Sequence, residues 1–151
     1  MNNRSGLVIA ILAAAVQHGI NTDGDYLEFN IKSTNFQLTE NFKLHEFLTK
    51  NRKETFTRIN ANIIAEVQTL RSIFGSSVGI SSSYRSPSYN RSVNGATSSE
   101  HLLGNALDTY PLNGNIKGWK STVREHKKNG GTGYYRTFVH IDTGRTRTWN
   151  G

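Results

Sequence analysis

The stretch Ser99-Glu100-His101-Leu102-Leu103-Gly104-Asn105-Ala106-Leu107-Asp108 most limits what this chain can fold into. A second stretch, Phe138-Val139-His140-Ile141-Asp142, follows near the C-terminus. Together they supply two imidazoles and two carboxylates, in a chain with five histidines and eleven acidic residues among its 151. There is no cysteine, so neither disulfides nor thiolate ligands are open to it. A metal would have to be held by His, Asp, Glu or water. Three side chains with mixed nitrogen and oxygen donors suit a catalytic zinc site, whose fourth position stays open to water.

A chain of 151 residues is expected to form one compact unit and to bury a core without covalent staples. Its formal net charge is +7, and a basic surface speeds encounter with polyanions such as nucleic acid or an anionic bacterial envelope. The basic residues are spread out, with small clusters at Lys127-Lys128 and Arg145-Thr146-Arg147. No long basic block or nucleic-acid motif occurs, so the envelope is the expected partner and dedicated nucleic-acid binding is not. A monomer is expected.

Leu7 to Val16 is apolar, follows Arg4, and is too short to span a bilayer. It reads either as a retained Ala-rich helix ending near Gly19 or as a secretory signal leaving through Ala13-Ala14-Ala15. Asn21 to Asp25 is a turn, and Tyr26, Leu27, Phe29 and Ile31 suggest a short strand. Asp23-Gly24-Asp25 looks like part of a calcium loop, but no Glu stands at its last ligand position. Ser33 to Thr39 is polar linker. His45 and Glu46 are adjacent, so they point different ways on a helix, and His45 reads as a capping or surface residue. Ile59, Ile63, Ile64, Val67, Leu70 and Ile73 predict a helix over Thr57 to Phe74, stopped by Gly75.

Val78 to Arg85 predicts a strand that Pro87 breaks, followed by a loop over Ser88 to Ser98. Asp108 falls on or at the end of a strand, and Tyr110 to Gly118 is a loop. Trp119 to Lys128 predicts a short, basic surface helix. Gly130 to Gly133 is a turn leading into a strong strand from Tyr134 to Asp142, and Gly144 to Trp149 closes the chain. The expected fold class is α+β: a small, mainly antiparallel sheet, backed by helices and carrying the metal site.

The pattern S-x-H-x-x-G-x-A-x-D with a later strand-borne His resembles the zinc peptidases of bacterial cell walls. These are the D-alanyl-D-alanine carboxypeptidases and L-alanyl-D-glutamate endopeptidases, including phage endolysins. Tyr84-Arg85-Ser86-Pro87 and Gly130-Gly131-Thr132-Gly133-Tyr134 match further pieces of the pattern. Asn41 to Leu48 looks like the segment that precedes the family's first long helix. The resemblance covers about Asn41 to Trp149. It implies a hedgehog/D-Ala-D-Ala peptidase-like fold, with a 1–40 N-terminal segment and a 41–151 zinc peptidase domain. It also implies a Zn2+ ion held by His101, Asp108 and His140.

Many relatives carry a Glu three residues before the last His, where this chain has Thr137, and a second His carried by others is also missing. Asp142 lies two residues beyond His140, and such strand residues share a face. Asp142 therefore reads as the general base or as the partner that orients His140; Glu100 and Glu125 are further candidates for the base. Arg85 is expected to hold a substrate carboxylate bidentately, with a structural ion pair as its alternative. Ser99 either hydrogen-bonds substrate or shapes its loop. Tyr84 and Tyr134 are assigned to substrate binding, while Tyr135 and Trp149 line either the groove or the core. Ser83 stands where relatives often have Gly, and Thr109 where an aliphatic residue is commoner.

The resemblance implies a zinc-dependent peptidase acting on peptidoglycan stem peptides or cross-links, with an endopeptidase favoured. A D-Ala-D-Ala carboxypeptidase and a non-catalytic wall-binding module of the same fold are the alternatives. Such a protein acts on the cell wall, whether periplasmic, secreted, virion-associated or released by lysis.

Overall fold

A computed structural model describes residues 3–51, 53 and 55–151. The first helix, α1 (Asn3–Gln17), buries Val8, Ile11 and Ala15 at helical spacing against α2 (Ala61–Phe74). No helix among the described residues is long and apolar enough to cross a membrane.

The predicted helix over Thr57 to Phe74 begins four residues late. Thr57–Asn60 is strand β3, in a three-stranded antiparallel sheet with β1 (Asn21–Asp23) and β2 (Tyr26–Phe29). Thr57 and Ile59 are buried while Arg58 and Asn60 are only partly so, a two-residue alternation that Ile59 alone does not distinguish from a helical one. Arg58 pairs across the sheet with Glu28 at 2.8 Å. Asn60 then caps α2, its side chain accepting from the Asn62 amide. Ile63, Ile64, Val67 and Leu70 fill the core as expected, but Ile73 is exposed.

The second sheet has the order β4-β5-β7-β6-β8. Its strands are β4 (Val78–Ser82), β5 (Ala106–Pro111), β6 (Gly131–Tyr134), β7 (Val139–Asp142) and β8 (Arg147–Asn150). All its pairings are antiparallel except β6 with β8. The mainly antiparallel α+β class is as expected, although divided into two sheets. The single strand expected over Tyr134 to Asp142 is a hairpin, closed where the Tyr135 amide donates to the Phe138 carbonyl at 3.0 Å. Inside the expected Ser88–Ser98 loop lies a short helix, α3 (Pro87–Ser92). Ser86 caps it and Pro87 occupies its first turn, where the missing N–H is no loss.

The last helix, α4 (Ile116–His126), is not simply a surface element. Trp119 and Val123 are fully buried. The Trp119 indole donates to Thr109 Oγ1 at 2.9 Å and meets Phe74 edge-on. Polar residues outnumber the apolar ones along α4 and hide this stripe from a composition-based reading. Just beyond the helix, the Lys127 side chain is buried and pairs with Glu66 of α2 at 2.8 Å.

Removing one partner of a buried ion pair leaves a desolvated charge, which typically destabilises by about 3–5 kcal/mol. Lys127→Met is therefore expected to lower stability by about 3 kcal/mol in urea denaturation. Adding Glu66→Leu should restore much of that loss. A loss below about 1 kcal/mol in the single variant would show that the pair does not tie α2 to the following sheet.

Candidate metal centre

Two imidazoles and one carboxylate meet over one face of the central β5–β7 pair. Their register sets Asp108 directly opposite His140, and directly opposed side chains share a face. His101 arrives from a 3-10 turn, Glu100–Leu103, started by Ser99, whose hydroxyl accepts from the His101 amide at 3.2 Å. One ligand atom from each of His101, Asp108 and His140 lies within 4.8 Å of the others, and all three residues are buried.

The hydrogen bonds fix which ring nitrogens face the centre. His101 Nδ1 lies 2.8 Å from the Ser83 carbonyl, which can only accept, so Nδ1 carries the proton. That leaves His101 Nε2 toward Asp108 Oδ1, at 3.3 Å. His140 Nε2 is 2.7 Å from Asp142 Oδ2, while its Nδ1 is 3.1 Å from Asp108 Oδ1. Two bare imidazole nitrogens and one carboxylate oxygen converging this way fit a divalent zinc ion. A partner on each far nitrogen is how ligating histidines are usually oriented.

Burial alone would raise the pKa of Asp108. Hydrogen bonds from His101 and His140, and their charges, outweigh it and hold the carboxyl well below the usual range. Burial alone would lower that of His140, but Asp108 and Asp142 raise it.

Asp142 is fully buried. Its Oδ1 accepts from the amides of Gly131 at 2.8 Å and Gly144 at 2.9 Å, and from Arg147 Nη1 at 3.1 Å. Its Oδ2 takes the His140 bond and a second from Arg147 Nη2 at 3.0 Å. Burial would raise its pKa, but His140, Arg147 and the Gly131 amide together lower it.

A cleft of about 330 Å³ opens over these three residues. Arg85 lies on one wall, with Nε 3.3 Å from Ser82 Oγ, Nη1 3.3 Å from Asn90 Oδ1 and Nη2 3.6 Å from Asp108 Oδ2. Ser99 and Glu100 line the same cleft. The opposite wall is aromatic: Tyr135 stacks on Phe138 at 4.4 Å, and Trp149 donates to the Tyr135 hydroxyl at 2.9 Å. Tyr84 and Tyr134 do not line it. Tyr84 packs edge-on against Phe56, and Tyr134 lies under the Arg124 guanidinium on the other face of β6. Glu125 is exposed on α4, and His45 bonds the Ser33 carbonyl away from the cleft. A larger cavity, of about 510 Å³, lies beside Gly144, but no imidazole lines it.

The profile of the family described as Peptidase M15 matches residues 40–142. The chain belongs to this family. It is also 31% identical, over 119 residues, to a Haemophilus influenzae protein named probable peptidoglycan L,D-endopeptidase MepK. That match takes in 72% of this chain and 63% of the relative, so the chain spans somewhat less than two thirds of the relative's length.

Two contributors escape a reading of the sequence. The Ser83 carbonyl is backbone and leaves no residue signature. Arg147 belongs to a short basic cluster that looks like solvent-exposed charge.

The purified chain is expected to take up one Zn2+. His101→Ala, Asp108→Ala and His140→Ala should each weaken uptake at least about 100-fold in competition with a chromophoric chelator. Unchanged affinity in any of the three would remove that residue from the ligand set.

Proposed function

We propose that this protein is a zinc-dependent peptidase that hydrolyses amide bonds in peptidoglycan stem peptides or their cross-links, as an endopeptidase. The observation that carries this reading is the convergence of His101, Asp108 and His140 at the floor of a cleft with Arg85 beside them. Family membership and the name of the Haemophilus influenzae relative support the substrate class and the endopeptidase preference.

His101 Nε2, an Asp108 oxygen and His140 Nδ1 would hold the metal. When bound there, zinc supplies a Lewis acid for the scissile carbonyl and lowers the pKa of its water toward about 7. Arg85, braced by Asn90 and Ser82, presents its guanidinium beside Asp108, where it would anchor a substrate carboxylate next to the scissile bond. The aromatic wall of Tyr135, Phe138 and Trp149 would hold the apolar parts of the peptide and exclude water. Ser99 acts as the cap that aims His101.

Asp142 suits the orienting role better than that of general base. Both of its oxygens are engaged by donors, and it is buried away from the cleft. Among the described residues, the carboxylates lining the cleft are Asp108 and Glu100. Asp108 is committed as a ligand, so Glu100 is the group we assign to take the proton of the attacking water.

The test is mass spectrometry of material released from peptidoglycan, with and without a chelator. Defined peptides that vanish with the chelator and in His101→Ala are expected, and their new termini identify the bond. Glu100→Gln should lower kcat at least about 100-fold while binding zinc like the parent. A parent-like kcat would move the base elsewhere. Intact muropeptides from several wall types, with the protein sedimenting on those walls, would instead support a non-catalytic binding module.

A further inference from the structure

We propose that Arg147, on the C-terminal strand, is a positioning residue for the metal: it fixes Asp142, which in turn fixes His140. The inference rests on the metal reading above. Arg147 lies beyond residues 40–142, the stretch matched by the family profile.

Strand β6 separates β8 from β7, so Arg147 must reach over a neighbouring strand to touch Asp142. It does so at Gly131, its partner in the parallel register. A Cβ at Gly131 would come within 2.2 Å of Arg147 Nη1 and 2.4 Å of Asp142 Oδ2. The same device recurs two residues on. Trp149 pairs with Gly133, where a Cβ would come within 2.5 Å of the indole. Across that bare backbone the Trp149 ring approaches the His140 ring, with centroids 5.2 Å apart. Gly131-Thr132-Gly133 thus presents two side-chain-free positions on one face of β6. Through them Arg147 and Trp149 of β8 reach Asp142 and His140 of β7.

The guanidinium grips both carboxylate oxygens, at 3.1 and 3.0 Å. A two-point grip fixes the carboxylate plane, which a single bond does not. Arg147 is itself braced, by the Arg145 carbonyl at 2.9 Å and by the Trp149 face at 5.0 Å. With the plane of Asp142 fixed, His140 keeps its proton on Nε2 and presents bare Nδ1 to the centre. Without Arg147, Asp142 keeps its two backbone amide bonds but can rotate about them, and the His140 ring loses its fixed orientation.

The experiment compares zinc dissociation constants of the full chain, by chelator competition, for the parent, Arg147→Gln, Arg147→Lys, Asp142→Asn and the double variant Arg147→Gln/Asp142→Asn. Losing a partner of this kind typically weakens metal binding 10- to 100-fold, and that range is expected for Arg147→Gln. Arg147→Lys keeps the charge without the fork, so its loss should be smaller but still above about threefold. The double variant should bind no more than about twofold worse than Asp142→Asn, because Arg147 acts through Asp142. Parent-like affinity in folded Arg147→Gln, or losses that multiply in the double variant, would overturn the proposal. If Arg147→Gln does not fold, parent-like affinity in Arg147→Lys overturns it instead. A parent that binds no zinc would overturn the metal reading itself, an outcome distinct from parent-like variants.

Discussion

Asp108 faces His140 across the β5–β7 pair, and the rest of the centre depends on that register. A slip of one residue would turn every side chain of one strand to the other face, separating the carboxylate from the imidazole. Burial holds the register in place: Leu107 and Ile141, paired with each other, are fully buried beside the two site residues. The alternation that sends Leu107 and Ile141 into the core sends Asp108 and His140 to the cleft. Core and site are thus two faces of one strand pair.

Around this pair, the difficulty of keeping charge in a buried place is met by hydrogen bonds. A buried carboxylate without partners is strongly disfavoured. Asp142, fully buried, has two backbone amides, an imidazole and both ends of a guanidinium. Asp108 has two imidazoles and the nearby Arg85. The chain carries a formal charge of +7, and each of the two carboxylates at the centre has an arginine beside it. His101, Asp108 and His140 converge there in an arrangement that fits a divalent cation.

That His101, Asp108 and His140 come together was legible through the motif resemblance, which implies it. So was the core stripe of α2, from its helical spacing, whereas the capping role of Ser99 comes only from the structure. The start of α2 was not, since Ile59 satisfies both a helical and a strand period and only pairing with β2 decides between them. The buried face of α4 was obscured by the polar residues around Trp119 and Val123. Tyr134 and Tyr135 are neighbours of one type, and only the position of the hairpin turn determines that Tyr135, not Tyr134, meets the cleft. The reach of Arg147 over Gly131 depends on a parallel pairing between β6 and β8, which no local pattern announces.

The most direct measurement is a crystal structure of the zinc-loaded protein with anomalous scattering recorded at the zinc edge. One peak is expected, bound by His101 Nε2, a carboxylate oxygen of Asp108 and His140 Nδ1, with Asp142 still on His140 Nε2. A peak elsewhere, or one bound through His140 Nε2 with Asp142 displaced, would contradict the account.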